Sequence, residues 1–408
     1  MSTSTSAFKR LAASTLALAA LISPGLAHSQ PNSAGSLTFG PGNTLFVGDT
    51  FGDRIFAFDL SDVLSDQSGY PLGRAETFEG RAIVADLKAE LGAKVSAPAS
   101  QIAINDVTVH SGTGQIFVSA SRGLGPDALP ILATVDDGAL RVLDLARLPS
   151  TVHMLETPVA DGSLEFGQLT RSYAITDIDY FDGEIFVAGV SGESFNSTLR
   201  RVPFPFGSAS ETETQIEIWH AVHGQWETRA PIIAQTIAIL DGVETLVAVY
   251  ACTPLVRIPL SDLRDGAEVR GEMIGELGYG NSPIDLVPFT NAFDGAPNIL
   301  VTHTHRSANQ IALADIASAD PMPVEVPMNF GPDGLVGQPV PLSGAQHLAM
   351  INDSWAVIVR PDPENPDVLQ LRSLLAPFFF DRTEHMVEMN WPGAPDPYGY
   401  RNFPPLDL

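Results

Sequence analysis

A two-strand unit recurs along the 408-residue chain: a short apolar strand, a turn, then a second strand of apolar and small residues. It reads Ile104-Asn105-Asp106-Val107-Thr108-Val109-His110 followed by Gln115-Ile116-Phe117-Val118-Ser119. It returns as Ile175-Thr176-Asp177-Ile178-Asp179-Tyr180 followed by Glu184-Ile185-Phe186-Val187-Ala188. Weaker copies begin near Ser36, Thr236, Ile284 and Gln346. Copies roughly 50 to 70 residues apart leave room for a four-stranded antiparallel sheet with loops and are too long for a solenoid coil. The spacing predicts an all-β chain folded as a six-bladed β-propeller, with inner strands starting near residues 36, 104, 175, 233, 283 and 345. Alternating apolar positions bounded by Gly, Pro, Asp and Asn place the strands of the second unit at 104–110, 115–121, 129–135 and 139–145. Those of the third fall at 175–181, 184–190, 197–203 and 214–220.

One stretch departs from period two. Ile83, Val84, Leu87 and Leu91 fall at helical spacing ahead of Gly92, which predicts one short surface helix over 83–91. The start of the chain, Lys9-Arg10, an apolar run from Leu11 to Leu26 and a small-residue end at Gly25-Leu26-Ala27, has the three parts of a secretory signal peptide. The expected organisation is therefore a leader at 1–27, one propeller domain at 28–390 and a Pro-rich tail at 391–408. The tail's Pro392, Pro395 and Pro397 lack backbone donors. No later stretch is apolar enough to cross a bilayer, so the reading is a periplasmic or secreted monomer.

The chain carries 48 acidic against 22 basic residues, a formal charge of −26, and its only lysines are Lys9, Lys88 and Lys94. Such a surface cannot neutralise phosphates, which excludes nucleic acid as a partner. It leaves a small-molecule ligand or a periplasmic protein. Cys252 is the sole cysteine, so no internal disulfide forms and stability rests on packing.

The strand ending Gly52-Asp53-Arg54-Ile55-Phe56-Ala57-Phe58-Asp59-Leu60, taken with the repeat, resembles the six-bladed propellers of the NHL-repeat and gluconolactonase-like group. The resemblance implies a fold and a place for a site at the channel mouth. In gluconolactonase-like propellers it further implies one divalent ion held by a Glu, an Asn and an Asp. Position in the repeat gathers the candidates. Asp106, Asp177, Asp285, Gln346 and His347 begin inner strands, whereas Arg122, His303, His305 and Arg360 end second strands or follow them, and Asn105, Asp106, Asp177 and Asp285 are available to such an ion. His303 and His305 share a face if the strand runs through both, so His303, His305, His347 and Asp106 form the expected metal set for Ca, Zn or Cu. His347, Arg122 and Asp177 are the expected catalytic groups, and Arg360 with Gln346 the expected cofactor contacts. Three functions remain open: a metal-dependent hydrolase or lyase acting on a small molecule, a non-catalytic binding propeller, and a quinone-dependent dehydrogenase. Signatures for zinc proteases, serine hydrolases, EF-hands, haem attachment and phosphate loops are absent from the sequence.

Overall fold

The computed structural model describes residues 30–376, apart from 75–78, 161, 163, 166, 167, 193, 194, 292, 293, 325–330, 341, 343, 363 and 364. The expected leader at 1–27 and the tail at 391–408 lie outside the described residues. The fold is all-β with few helices. Among the described residues no helix is long and apolar enough to cross a membrane.

Five sheets hold most of the strands. Sheet I contains Leu37–Phe39, Thr44–Asp49, Arg54–Asp59 and Ser150–Met154. Sheet II contains Ile102–His110, Gln115–Arg122, Leu129–Asp136 and Ala139–Val142. Sheet III is ten-stranded. Its first half runs Asp177–Phe181, Glu184–Val190, Ser197–Pro203 and Thr212–His220, and its second half Ile232–Leu240, Val243–Tyr250, Pro254–Pro259 and Ala267–Glu276. The halves join because Thr212–His220 pairs in parallel with Ala267–Glu276, Thr214 standing opposite Ala267 and Ile218 opposite Gly271. Two short strands, Gln225–Glu227 and Asp333–Gly334, extend this seam. Sheet IV contains Pro283–Thr290, Pro297–His303, Asn309–Ala312 and Gln338–Pro339. Sheet V contains His347–Met350, Trp355–Pro361, Leu369–Leu375 and Ala82–Val84.

The second strands are apolar on both faces because each lies inside a sheet flanked on both sides. Phe117 and Val118 are fully buried but enter different cores, Phe117 with Phe56 and Leu132 between sheets I and II, and Val118 with Val357 and Leu371 between II and V. Further cores join sheet I to III through Phe46, Ile178 and Val187, and the halves of III through Leu199, Ile218 and Leu246. Val249 and Val301 join III to IV, and Leu300 and Ile358 join IV to V. The apolar faces thus close a circuit, and the arrangement of sheets is propeller-like.

Chain order and circuit order differ. The leading strands of the sheets contact one another in the sequence I, III first half, III second half, IV, V, II and back to I. Sheet II follows sheet I in the chain but sits on its far side, against V. Two remote strands stitch this detour. Ala82–Val84 completes sheet V on its way to sheet II, and Ser150–Met154 completes sheet I on its way back, with Ser150 opposite Phe58 and Met154 opposite Arg54.

The helix expected at 83–91 is corrected by the same stitching. Ile83 and Val84 are strand, drawn into the edge of sheet V by pairing of Val84 with Leu371. Helix α1 runs Leu87–Val95 instead, capped by Asp86, whose carboxylate accepts the Ala89 amide, and it passes through Gly92 before stopping at Ser96 in the left-handed region. A second helix, α2, Leu313–Ser318, lies in sheet IV's third connection. The strands of the second and third units begin and end within about three residues of their expected places, Thr212–His220 and Ala139–Val142 included.

Candidate functional site in the central pocket

The six leading strands line one pocket of about 220 Å³ at the centre of the circuit. Its polar groups are chiefly the side chains that open those strands: Ser36, Asp106, Asp177, Gln235, Asp285 and His347. Three aspartates occupy the same position in their repeats and make the same bonds. One oxygen of each accepts the amide of the next residue in its own strand: Val107 to Asp106 at 2.7 Å, Ile178 to Asp177 at 2.9 Å and Leu286 to Asp285 at 2.7 Å. The other oxygen accepts an amide from the neighbouring leading strand: Leu37 to Asp106 at 2.7 Å, Gln235 to Asp177 at 2.8 Å and Leu348 to Asp285 at 2.9 Å. The three carboxylates therefore tie the strands together in pairs, II to I, the halves of III to each other, and IV to V.

The residue preceding two of the three amide donors meets the next aspartate around the circuit, and here the repeat is broken. Ser36, before Leu37, donates its hydroxyl to Asp177 Oδ1 at 2.8 Å. His347, before Leu348, places Nδ1 3.8 Å from Asp106 Oδ1. Ala234, before Gln235, is the third member and brings no polar atom. One junction of three thus carries an imidazole.

Burial shifts every one of these groups. It pushes Asp106 well above the usual carboxylate range, helped by the charges of Asp285 and Asp177 and opposed by the Leu37 and Val107 amides. Asp177 is raised in the same way, chiefly by burial. Burial raises Asp285 to about 6, and also Asp179, one turn of the pleat further on. The same loss of water lowers His347 to about 4, against a weaker opposing hydrogen bond to the Ile104 backbone. At neutral pH the imidazole is uncharged and offers a lone pair beside carboxylates that repel one another. The donor atoms of Asp106, Asp285 and His347 all lie within 4.8 Å of one another. Two carboxylates and a neutral imidazole fit a divalent cation, since each carboxylate oxygen accepts one amide and keeps a second lone pair.

The other residues expected at the site lie elsewhere. His303 ends the strand Pro297–His303 and is buried, with Nδ1 2.9 Å from the Asn281 amide nitrogen and Nε2 2.8 Å from Asn309 Oδ1. Both nitrogens are thus occupied, and burial lowers the ring to about 4. His305 lies past the strand end, so the two histidines do not continue one strand face; its Nδ1 meets the Thr304 hydroxyl at 2.9 Å. Among the described residues, His303 and His305 join no group of three or more metal-ligating side chains. Of the four residues expected to share a metal, the structure brings together His347 and Asp106. Arg122 donates to the Val95 carbonyl at 2.9 Å, at the end of α1. Arg360 is fully buried in sheet V, donating to the Pro361 carbonyl at 3.3 Å. Gln346 precedes His347 but does not line the pocket. Asp285, gathered with Asp106 and Asp177 as an aspartate opening an inner strand but left outside the expected four-residue metal set, is the residue that completes the group with Asp106 and His347.

Comparison with models of known protein families and with curated proteins finds no match to this chain.

Proposed function

We propose that the chain is an exported six-bladed propeller, the ten-stranded sheet being two blades joined at their outer strands, and that its central pocket binds a divalent cation. The observation that carries the reading is the approach of Asp106, Asp285 and His347 to within 4.8 Å of one another in a pocket reached by all six leading strands. A bound cation would offset the mutual repulsion of the aspartates and use the neutral imidazole. In that position it would polarise a carbonyl or lower the pKa of bound water, the chemistry of a metal-dependent hydrolase or lyase acting on a small polar molecule. Asp177, held by the Ser36 hydroxyl, would face the substrate from the opposite side of the pocket. The resemblance to gluconolactonase-like propellers agrees with an ion in this place.

A non-catalytic binding role is the second reading, favoured by the amide bonds that every pocket aspartate already makes. A quinone-dependent dehydrogenase draws less support, because Arg122, Arg360 and Gln346 lie outside the pocket lining. Metal analysis of the purified chain tests the proposal. The expected result is that wild type holds one divalent ion per chain more than Asp106→Asn/Asp285→Asn, with the fold retained. Unchanged metal content in that variant, or wild type free of metal after incubation with Ca²⁺ and Zn²⁺, contradicts it.

A further inference from the structure

A second polar cluster lies at the seam of sheet III, outside the central pocket. It gathers where the two outer strands, Thr212–His220 and Ala267–Glu276, end side by side. His220 closes the first, the turn through His223 leads back along Gln225–Glu227, and Glu276 closes the second. Cys252 enters from the bend between Val243–Tyr250 and Pro254–Pro259, with φ +80°, a left-handed conformation that a non-glycine residue adopts at a cost.

The hydrogen bonds orient this cluster in a particular way. Glu227 holds two imidazoles at once, Oε2 on His220 Nδ1 at 3.0 Å and Oε1 on His223 Nδ1. The ring centroids are 4.0 Å apart, and each ring is left with Nε2 as its remaining donor atom. The ligating atoms of His220, His223 and Cys252 lie within 4.8 Å of one another. His220 is fully buried, yet its Nε2 has no hydrogen-bond partner. Glu276 is also fully buried; Oε2 accepts the Thr253 hydroxyl, while Oε1 has no partner and stands 3.9 Å from His220 Nε2. Two unpartnered atoms facing each other in a buried place call for a group that satisfies both.

We propose that His220, His223, Cys252 and Glu276 form a zinc site, with Glu227 as the positioning residue that fixes both imidazoles. The donor chemistry selects the metal. Two imidazoles and a thiolate favour a borderline ion over Ca²⁺ or Mg²⁺, and a carboxylate as fourth ligand completes a tetrahedron, unlike the weak axial thioether of a blue-copper centre. A tetrahedral zinc with bonds of about 2.0 to 2.3 Å needs its donors within about 4 Å of one another, a short contraction from the 4.8 Å that bounds the His220, His223 and Cys252 donors, with Glu276 Oε1 3.9 Å from His220 Nε2. The Glu227 arrangement is the outer carboxylate that zinc-bound histidines use to fix tautomer and ring plane. The chain offers this ion a softer donor set than the oxygen-rich central pocket.

Titration of the intact protein with Co²⁺ tests the proposal through thiolate-to-cobalt charge-transfer absorption. Cys252 is the only cysteine, so the band reports this cluster alone and is silent about an ion in the central pocket. The expected result is a band saturating at one equivalent, displaced by Zn²⁺, absent in Cys252→Ser and in His220→Ala/His223→Ala. In Glu227→Gln the band should persist with about 10- to 100-fold weaker affinity. Zn²⁺ should also slow alkylation of the wild-type thiol, a reading that needs no variant to fold. Absence of the band at saturating Co²⁺, its persistence in the double histidine variant, or an alkylation rate indifferent to Zn²⁺ overturns the proposal.

Discussion

The central pocket and the seam of sheet III each bury histidine among carboxylates, and they shift the histidine in opposite directions. His347 falls to about 4 because burial dominates and no carboxylate bonds to it, Asp106 standing 3.8 Å away. His220 rises to about 9 although burial opposes it, because the Cys252 thiol beside it and the Glu227 carboxylate on its Nδ1 favour the charged ring and the charges of Glu227 and Glu276 add to them. Glu227 in turn falls to about 2 despite its own burial, held down by His220 and His223. The lesson is that depth alone does not set these groups. In the pocket the carboxylates spend their strongest hydrogen bonds on backbone amides, whereas at the seam they spend them on imidazoles.

The largest effect that tests this contrast is on stability. Asp177 accepts from the Ser36 hydroxyl and from the amides of Ile178 and Gln235. In chelator, Asp177→Ala should cost about 2 to 4 kcal/mol in denaturant unfolding, because buried donors are left unsatisfied. Asp177→Asn should cost less, since it keeps an acceptor and removes a repelling charge. Equal losses in the two variants would mean that the amide ties matter little.

A smaller effect follows pH. His220 faces Glu227, Glu276, His223 and Cys252, and its pKa moves from 6.5 to about 9 on folding. The metal-free native state then binds more protons than the unfolded chain between those values, so stability is full below about 6.5 and is lost as pH rises towards 9. The loss should be on the order of 2 kcal/mol and should vanish in His220→Gln. A slope unchanged in that variant would place the titration elsewhere.

The smallest effect belongs to the pocket, where two slopes oppose each other. His347, lowered from 6.5 to about 4, makes stability fall as pH drops through that window. Asp285 and Asp179, raised from 3.8 to about 6, and Asp106 and Asp177, raised in the same direction, make stability rise over the same range. The pocket's contribution should therefore grow modestly from pH 6 to pH 4 in wild type, and grow further in His347→Ala. A wild-type curve that falls steeply there would show that the imidazole dominates the pocket.

The strands were legible because period-two alternation survives in segments such as Thr212–His220 and continuous apolar runs mark second strands such as Glu184–Val190. The pocket was legible for a related reason: the repeat puts Asp106 and Asp177 at equivalent places. What stayed hidden depended on contacts between remote segments. Ile83 and Val84 suit a helix as well as a strand, and only pairing with Leu371 decides between them. Nothing local shows that Ser150–Met154 completes sheet I and thereby sets sheet II between V and I. His303 and His305 read as one face of a strand, but the ladder ends at the pairing of Pro283 with His303. The seam cluster was half visible: His220 and His223 stand three apart in the sequence, but nothing local brings Cys252 to them. Cys252 meets His220 only because two outer strands, 53 residues apart at the pairing of Thr214 with Ala267, run parallel.

The most direct test of the account is a crystal structure of the chain grown with a divalent cation and phased near that metal's absorption edge. The account predicts an anomalous peak in the central pocket about 2.0 to 2.6 Å from carboxylate oxygens of Asp106 and Asp285 and from a ring nitrogen of His347. Well-ordered carboxylates bonded only to the amides of Leu37, Val107, Leu286 and Leu348, with no peak between them, would contradict it.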